Sequence, residues 1–154
     1  MAVTLAIETP LQDDVRGLVE RLNAHLTPLS PPEFQFQMTA EQMAGDATTV
    51  FVARNDAGAA VGMGSLKVEN AEMGEVKRMF TVPEVRGQRV GSTLLQAIER
   101  LAREKGLKIL MLETGSEAIM PEAHRLYRRG GFSPRGPFLD YPDSQWSAFY
   151  EKQL

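Results

Sequence analysis

The stretch EVRGQRVGSTLL, residues 84–95, places two arginines and two glycines in a short loop that leads directly into a helical pattern. A helix N-terminus presents N–H groups without intrahelical partners and carries about half a positive charge. Glycine lets an anion approach the backbone, and arginine adds a charged, forked hydrogen-bond donor. This composition favours an anion-binding turn between Arg86 and Ser92. An ordinary strand-to-helix turn with solvated arginines explains the same spacing and stays open at this point.

Two well-known phosphate-binding loops do not match this stretch. A Walker loop would end in a lysine followed by Ser or Thr, and the dinucleotide-binding pattern G-x-G-x-x-G does not occur. The neighbouring elements therefore have to indicate what kind of turn this is.

The elements around the loop predict a parallel strand pair. An alternating strand over 73–82 is stopped by Pro83, and a helix of about 91–105 follows the loop and ends at Gly106. A nearly continuous apolar strand over 107–114 comes next, as expected at the centre of a sheet. Strand, helix and strand with short connections form a right-handed crossover with parallel strands.

The rest of the chain predicts antiparallel strands and further helices. Thr9, Pro10 and Gln12 have the spacing of a capping box at the start of an amphipathic helix. The other predicted segments are strands at 3–8, 48–56, 59–68, 132–138 and 147–153, and helices at 39–45 and 121–131. We expect a mixed α/β fold, with a mostly antiparallel, twisted sheet of about six or seven strands and helices on both faces. A single domain over 1–154 accommodates these elements.

The composition excludes several classes of function. The formal net charge is −3 and the pI about 5.5, so the chain has no overall basic surface for nucleic acid. It has no cysteine and two histidines, His25 and His124, which argues against thiol catalysis and against a metal site. No apolar run reaches the roughly 20 residues that cross a bilayer, and the N-terminus lacks the features of a signal peptide. We therefore expect a cytoplasmic protein that binds neither membranes nor nucleic acid.

Two motifs at their observed separation resemble the GNAT superfamily of N-acetyltransferases. The first is the loop VPEVRGQRVGSTLL, residues 82–95, and the second is EAHRLYRRGGF, residues 122–132. The superfamily's loop pattern, Gln/Arg-x-x-Gly-x-Gly/Ala, is matched at its two ends by Arg86 and Gly91. Its late-helix pattern, Ala-x-x-Leu-Tyr-x-x-x-Gly-Phe, is matched by Ala123, Leu126, Tyr127, Gly131 and Phe132.

The resemblance implies acetyl-CoA as the cosubstrate and no metal. The thioester would lie where the strands 73–82 and 107–114 separate, and the loop amides would hold the pyrophosphate. The cofactor-binding residues implied in this way are Phe80, Thr81, Val82, Arg86, Gly87, Gln88, Arg89, Val90, Gly91 and Ser92. The chain departs from the family at two positions. Arg89 replaces the middle glycine, so its side chain either points away or clamps a phosphate, and Met120 replaces an asparagine that many relatives carry.

The resemblance also implies catalytic roles. Acyl transfer to an amine needs a neutral nucleophile, a stabilised oxyanion and a proton for the leaving thiolate. Tyr127 would supply that proton, and a backbone N–H near Val82 would hold the oxyanion. Glu113 or Glu75 would act as the base, directly or through water. The apolar run before Glu113 favours that residue, because desolvation raises a carboxyl pKa. The alternatives are a packing role for Tyr127 and solvent-exposed positions for both glutamates.

Three further features have simpler interpretations. We expect His124 to be an exposed helix residue, and Trp146 and Tyr150 to belong to the core, with the wall of an acceptor pocket as the alternative for these two. The segment PFLDYPDSQW, residues 137–146, either lines an acceptor site for a cationic amine or forms a solvated loop.

By resemblance, the expected function is transfer of an acetyl group from acetyl-CoA to a primary amine of a small molecule or peptide. A non-catalytic CoA-binding sensor and a phosphate-binding structural module are the alternatives. The sequence names no acceptor, since acceptor loops in one fold vary freely. A homodimer is also left open.

Overall fold

The computed structural model describes residues 2–154. Its strands are β1 (Thr4–Ile7), β2 (Thr48–Arg54), β3 (Ala60–Val68), β4 (Met73–Thr81), β5 (Ile109–Gly115), β6 (Ser133–Arg135) and β7 (Ser147–Gln153). The helices are α1 (Asp13–Leu26), α2 (Ala40–Met43), α3 (Val90–Glu104) and α4 (Pro121–Arg129). All strands form one seven-stranded sheet in the order β1-β2-β3-β4-β5-β7-β6. Every neighbouring pair is antiparallel except β4 and β5, which are parallel. The predicted mixed, mostly antiparallel α/β fold is confirmed.

The helix α3 packs closely on β3, because that strand carries two glycines beneath it. A Cβ atom at Gly62 would lie 3.2 Å from Leu94, and one at Gly64 would lie 3.1 Å from Ile98 and 2.5 Å from Met79. Larger side chains would therefore lift the helix from the sheet. This contact also determines where the N-terminus of α3, and with it the arginine-rich loop, lies relative to β4.

The parallel strands β4 and β5 separate soon after they pair. Their pairing covers Met73–Glu75 against Ile109–Met111. A β-bulge follows in β4, where Arg78 and Met79 together face Gly64 of β3. Arg78 has a left-handed backbone with φ 54°. Because a bulge bends its strand, the β5-facing edge of β4 is open beyond the short pairing.

The start of α1 differs from the prediction. The N-cap residue is Gln12 rather than Thr9, and the helix begins at Asp13. The Thr9 hydroxyl instead accepts the N–H of Leu11, and the Gln12 side chain donates to Glu8 and to the Thr9 carbonyl. These short-range hydrogen bonds build a turn before the helix, a use of Thr that competes with capping.

The chain ends with β7 between β5 and β6, so its last strand lies inside the sheet. The predicted strand at 132–138 is shorter than expected, because β6 ends at Arg135 just before Gly136 and Pro137. The helix α4 ends two residues before Gly131, whose φ of 88° suits the exit of a helix.

The longest helix, α3, has 15 residues. Across residues 2–154, no helix combines the length and apolar character needed to cross a membrane.

Candidate functional site

A cleft of about 670 Å³ opens where β4 and β5 separate. One side is the open edge of β4, residues 76–81, and the other is the end of β5, residues 113–115. The beginning of α3, one side of α4, the end of α1 and the segment 34–37 supply further lining. This volume lies in the usual range for sites that hold small molecules and cofactors. Eight of the ten predicted cofactor-binding residues line the cleft formed by residues 2–154, and Val82 and Gln88 do not.

The first turn of α3 presents unpaired backbone donors to this cleft. The first helical hydrogen bond of α3 runs from the Thr93 N–H to the Arg89 carbonyl, over 3.0 Å. The preceding N–H groups, on residues 90–92, therefore have no helical acceptor among the described residues. The loop reaches this position through left-handed backbone at Gly87, with φ 82°, and at Arg89, with φ 61°. A Cβ atom at Gly87 would contact nothing within 4 Å, so the backbone angle alone requires glycine there.

Four arginines line the same part of the cleft: Arg86, Arg89, Arg125 and Arg129. Arg125 pairs with Glu122 at 3.6 Å, and both of these side chains are exposed. The other three form no ion pair with any carboxylate in residues 2–154. On a chain with net charge −3, a local group of unpaired cations beside free N–H groups can hold a polyanion. The residues present thus fit the phosphates of a coenzyme.

The open edge of β4 offers different backbone groups from those expected. The Val82 N–H donates to the Val61 carbonyl over 2.9 Å, and its side chain is buried, so this N–H cannot hold an oxyanion. Backbone groups alternate in direction along an antiparallel strand. Since residues 80 and 82 turn theirs towards β3, Thr81 and Met79 present N–H and C=O groups to the cleft. The sequence analysis did not place Met79 among the cofactor-binding residues, although period-two alternation counted back from the strand end could have found it.

Tyr127 faces the cleft from α4. Its ring is 6% exposed and packs against Phe132 and Tyr150, with centroids 6.0 and 6.1 Å away. Burial raises the pKa of the Tyr127 hydroxyl above its usual range, and the nearby charge of Glu113 raises it further. The phenol is therefore protonated at neutral pH and can act as a donor.

Glu113 lines the cleft on the β5 side. Burial raises the pKa of its carboxyl to about 7, while the positive charge of Lys77 acts in the opposite direction. The predicted desolvation of this glutamate agrees with its partly buried position. A carboxyl group that titrates near neutrality is well matched to general-base catalysis.

Glu75 is 2% exposed and does not contribute to the cleft lining found within residues 2–154. The Tyr141 hydroxyl donates to its carboxylate, and the Lys77 ammonium lies 3.5 Å away. The Lys77 ammonium also donates to Tyr141, over 2.8 Å. The solvent-exposed position that was the alternative for Glu75 is therefore wrong. Tyr141 was recognised from the sequence only as part of the aromatic segment 137–146.

The expectation of an exposed His124 is also wrong. The side chain is 3% exposed, with Nδ1 2.7 Å from the Tyr150 hydroxyl and Nε2 2.8 Å from the Gly115 carbonyl. Because a carbonyl only accepts, Nε2 carries a proton and donates to Gly115, while Nδ1 and the Tyr150 hydroxyl share the second hydrogen bond. His124 lies three residues before Tyr127, on the same face of α4. Tyr150 is buried as expected, and Trp146 lines the cleft.

Comparison with known proteins agrees with this geometry. The profile of the Acetyltransferase (GNAT) family matches residues 17–132. The chain is 42% identical to the IAA acetyltransferase of Azospirillum brasilense over 153 residues, which are 99% of this chain and 98% of that one. A crystal structure assigned to the acyl-CoA N-acyltransferases, from Klebsiella pneumoniae, has a TM-score of 0.82 and 30% identity over 99% of this chain and 97% of its own.

A third similarity is one of fold alone. The PaiA N-acetyltransferase of Thermoplasma acidophilum, in complex with coenzyme A, has a TM-score of 0.76 with 16% identity, and each chain is covered completely, at 100%. The family profile covers most of the chain and includes both motifs at the cleft. The chain therefore belongs to the GNAT family of acetyltransferases, and acetyl-CoA is its acyl donor.

Proposed function

We propose that this enzyme transfers the acetyl group of acetyl-CoA directly to a primary amine of a small molecule or peptide. The observation that carries the proposal is the pair Glu113 and Tyr127, which line one cleft. At neutral pH the first can accept a proton and the second keeps its own. Glu113 has a pKa raised to about 7 and can accept a proton at neutral pH. Tyr127 has a pKa raised above its ordinary value and keeps its proton. Groups whose environments separate their roles in this way are typical of acid–base pairs.

The coenzyme supplies an acetyl group activated as a thioester. The N–H groups of residues 90–92 and the unpaired Arg86, Arg89 and Arg129 are the groups that would hold its phosphates. The backbone groups of Met79 and Thr81 would bind the pantetheine arm and the developing oxyanion. This proposal keeps the predicted loop residues that line the cleft, and on the strand it keeps Thr81 and replaces Phe80 and Val82 by Met79.

Glu113 would accept a proton from the attacking amine. An α-amino group has a pKa of about 8, and a lysine side chain one of about 10.4. Against a carboxyl with a pKa of about 7, proton transfer costs about 1.4 kcal/mol for the first and about 4.6 kcal/mol for the second. An α-amino group is therefore favoured over a lysine side chain as the acceptor. Glu75 would act as a positioning residue, since its carboxylate is bound by Tyr141 and lies outside the cleft lining described for residues 2–154.

Tyr127 would protonate the leaving sulfur. Its ring is fixed by packing against two other aromatic rings. The side chain is therefore in position before the reaction and does not have to be ordered during it. Replacement of Tyr127 by Phe preserves this packing and removes the proton donor.

The test is a panel of amines assayed with acetyl-CoA, with release of free thiol as the readout. We expect thiol release to depend on the amine, and Tyr127→Phe to lower kcat by roughly 10²–10⁴-fold while CoA binding by calorimetry stays unchanged. Binding of CoA without thiol release for any amine would instead support the non-catalytic sensor. Absence of CoA binding would support the structural module. An unchanged kcat in both pre-steady-state and steady-state assays would assign Tyr127 to packing.

A further inference from the structure

Arg78 is a buried arginine without a carboxylate partner. Its residue is 8% exposed, and its Nη2 donates to the Asn23 side chain on α1. Its Nε atom is buried and has no hydrogen-bond partner in residues 2–154. No carboxylate in that part of the chain lies within ion-pair distance of it. Burial lowers the pKa of Arg78 to about 10, so the guanidinium still carries its charge at neutral pH.

An uncompensated buried charge of this kind is unfavourable in the folded protein. Removing a charge from water costs several kcal/mol in a protein interior unless an opposite charge and hydrogen bonds compensate for it. Lys77, the preceding residue, shows how the chain compensates elsewhere, because it pairs with Glu75 and Tyr141. Arg78 has no such group among residues 2–154, and it lines the cleft, so an anion that enters the cleft from outside the chain would compensate its charge.

The backbone turns Arg78 towards the cleft at some cost. The residue lies in the β-bulge and has a left-handed backbone with φ 54°, which is unfavourable for any residue with a Cβ atom. Bulges commonly redirect a side chain next to an active site. Here the result is that Arg78 lines the same cleft as Glu113 and Tyr127.

The coenzyme phosphates do not account for this arginine. The free N–H groups of α3 and the exposed Arg86 and Arg89 already form the anion-binding part of the loop. Arg78 instead bonds to α1, and α1 contributes Leu22, His25 and Leu26 to the cleft. The Arg78 region is thus built from a different set of elements and is free to bind the acceptor.

We propose that Arg78 binds a carboxylate on the acceptor, so that the substrate is a small amino acid-like molecule carrying both an amine and a carboxylate. The guanidinium fork matches a carboxylate in geometry and charge, and Arg78 lines the cleft in which the acceptor would lie. The amine of the same molecule then faces Glu113. This inference rests on the proposed amine acetylation and names its substrate class.

The test compares matched acceptors on the complete enzyme. Each of a set of α-amino acids is assayed beside its decarboxylated amine, with release of free thiol as the readout. We expect kcat/KM to be at least tenfold higher for the accepted amino acids than for their decarboxylated partners. We expect Arg78→Gln to make kcat/KM similar for the two members of each pair, mainly by raising KM for the amino acid. The exposed Arg100, changed to Gln, is the matched control and should preserve the ratio.

A second measurement does not depend on turnover or on the Gln variant. At least one α-amino acid of the panel should raise the melting temperature of the wild-type enzyme in the presence of CoA, whereas its decarboxylated amine should not. Arg78→Lys, which keeps the charge, should retain part of that shift. Two outcomes would overturn the carboxylate assignment. One is equal rates and equal melting shifts for the two members of each pair. The other is a loss of kcat/KM in Arg78→Gln that is the same for both members. Absence of thiol release from every amine would refute amine acetylation, while the melting shifts would still test Arg78.

Discussion

The raised pKa of Glu113 suits the residue to act as a base, and it also lowers the stability of the folded protein near neutral pH. Its pKa is raised from 4.5 to about 7 by burial, so the folded protein binds the proton more tightly than the unfolded chain does. Stability therefore falls as the pH rises from about 4.5 to about 7, and it stays lower above that range. The same shift makes the carboxylate a base near neutral pH.

We expect Glu113→Gln to melt at a higher temperature than the wild type at pH 8 and at a similar temperature at pH 4. We also expect it to lose turnover at pH 8, and the wild-type kcat/KM to decline below a pH of about 7. Thermal melts and pH–rate profiles measure both effects. Glu117 is the control, since Arg128 lowers the pKa of that exposed carboxyl. Its change to Gln should leave the melting temperature at pH 8 unchanged or slightly lower. An equal gain for Glu113→Gln at both pH values would contradict the assigned burial effect.

Arg89 couples ligand binding to backbone strain. It is the N-cap of α3 in a left-handed conformation, with φ 61°, which explains why the family carries glycine at this position. Its guanidinium lines the cleft and forms no ion pair within residues 2–154. One substitution would therefore relax the backbone and remove the proposed phosphate contact together.

We expect Arg89→Gly and Arg89→Ala to weaken CoA binding by a similar factor of about ten or more, because a hydrogen bond to a charged group contributes about 1.5–3 kcal/mol. We expect the glycine variant to be more stable than the alanine variant by about 1 kcal/mol, since alanine keeps the left-handed strain. Calorimetric titration and denaturant unfolding measure the two effects. Tighter CoA binding in the glycine variant would show that Arg89 makes no phosphate contact.

At the scale of the element, the loop before α3 contains two glycines with different physical roles. Gly87 needs its positive φ of 82°, and a Cβ atom there would meet nothing within 4 Å. Gly91 lies inside the first turn of α3, and a Cβ atom there would lie 3.4 Å from Leu126, an ordinary contact. The first glycine is required by the backbone of the turn, and the second keeps the helix N-terminus open to a ligand.

We expect Gly87→Ala to lower the free energy of unfolding by about 1 kcal/mol. Gly91→Ala should instead raise it by about 0.5–1 kcal/mol, because alanine is the better helix former. Both variants should bind CoA more weakly, since a methyl group at residue 91 would stand beside the N–H groups that face the phosphates. Denaturant unfolding and calorimetry measure the two quantities. A Gly91→Ala variant with undiminished CoA affinity would place the phosphates away from this turn.

The β-bulge in β4 is the other feature at this scale. It follows the short pairing of β4 with β5, and it turns Arg78 and Met79 relative to the rest of the strand. The cleft, the free backbone groups at Met79 and Thr81 and the buried guanidinium therefore have one common origin in the strand geometry.

At the scale of the whole molecule, the chain and its polyanionic coenzyme both carry negative charge. The net charge is −3, so the proposed binding relies on local attraction by the arginines around the first turn of α3. Such attraction is screened by salt over about 8–10 Å at physiological ionic strength.

We expect acetyl-CoA at about 100 times its Kd to stabilise the fold by about 2.7 kcal/mol, which raises the melting temperature by about 5–10 °C for a chain of this size. Acetyl-pantetheine, which lacks the nucleotide and its phosphates, should shift it much less. Raising the salt concentration should reduce the first shift and leave the second nearly unchanged. Equal shifts from both ligands would mean that the arginine-rich turn does not bind the coenzyme.

Much of the fold could be predicted from local patterns. These patterns are formed by residues that are close together in the sequence: the apolar run of β5, the helical period of α3 and the glycines that follow the helices. These patterns predicted the strand–helix–strand unit and the elements around it within a few residues. The loop composition between Arg86 and Ser92 and the motif that ends at Phe132 predicted the family and its coenzyme. The raised pKa of Glu113 was expected for the same reason, because its apolar neighbours are adjacent in sequence.

The tertiary structure decided what depends on contacts between distant segments. Glu75 is buried because Tyr141, 66 residues later, bonds to it, and His124 is buried because Tyr150 and Gly115 surround it. The direction of the β4 backbone groups and the exposure of Arg78 to the cleft follow from a bulge that the period-two pattern does not record. Sequence patterns therefore determined which elements form and which family the chain belongs to. Contacts between segments that are distant in the sequence determined which charged side chains are buried. The same contacts determine which side chains are available to recognise an acceptor.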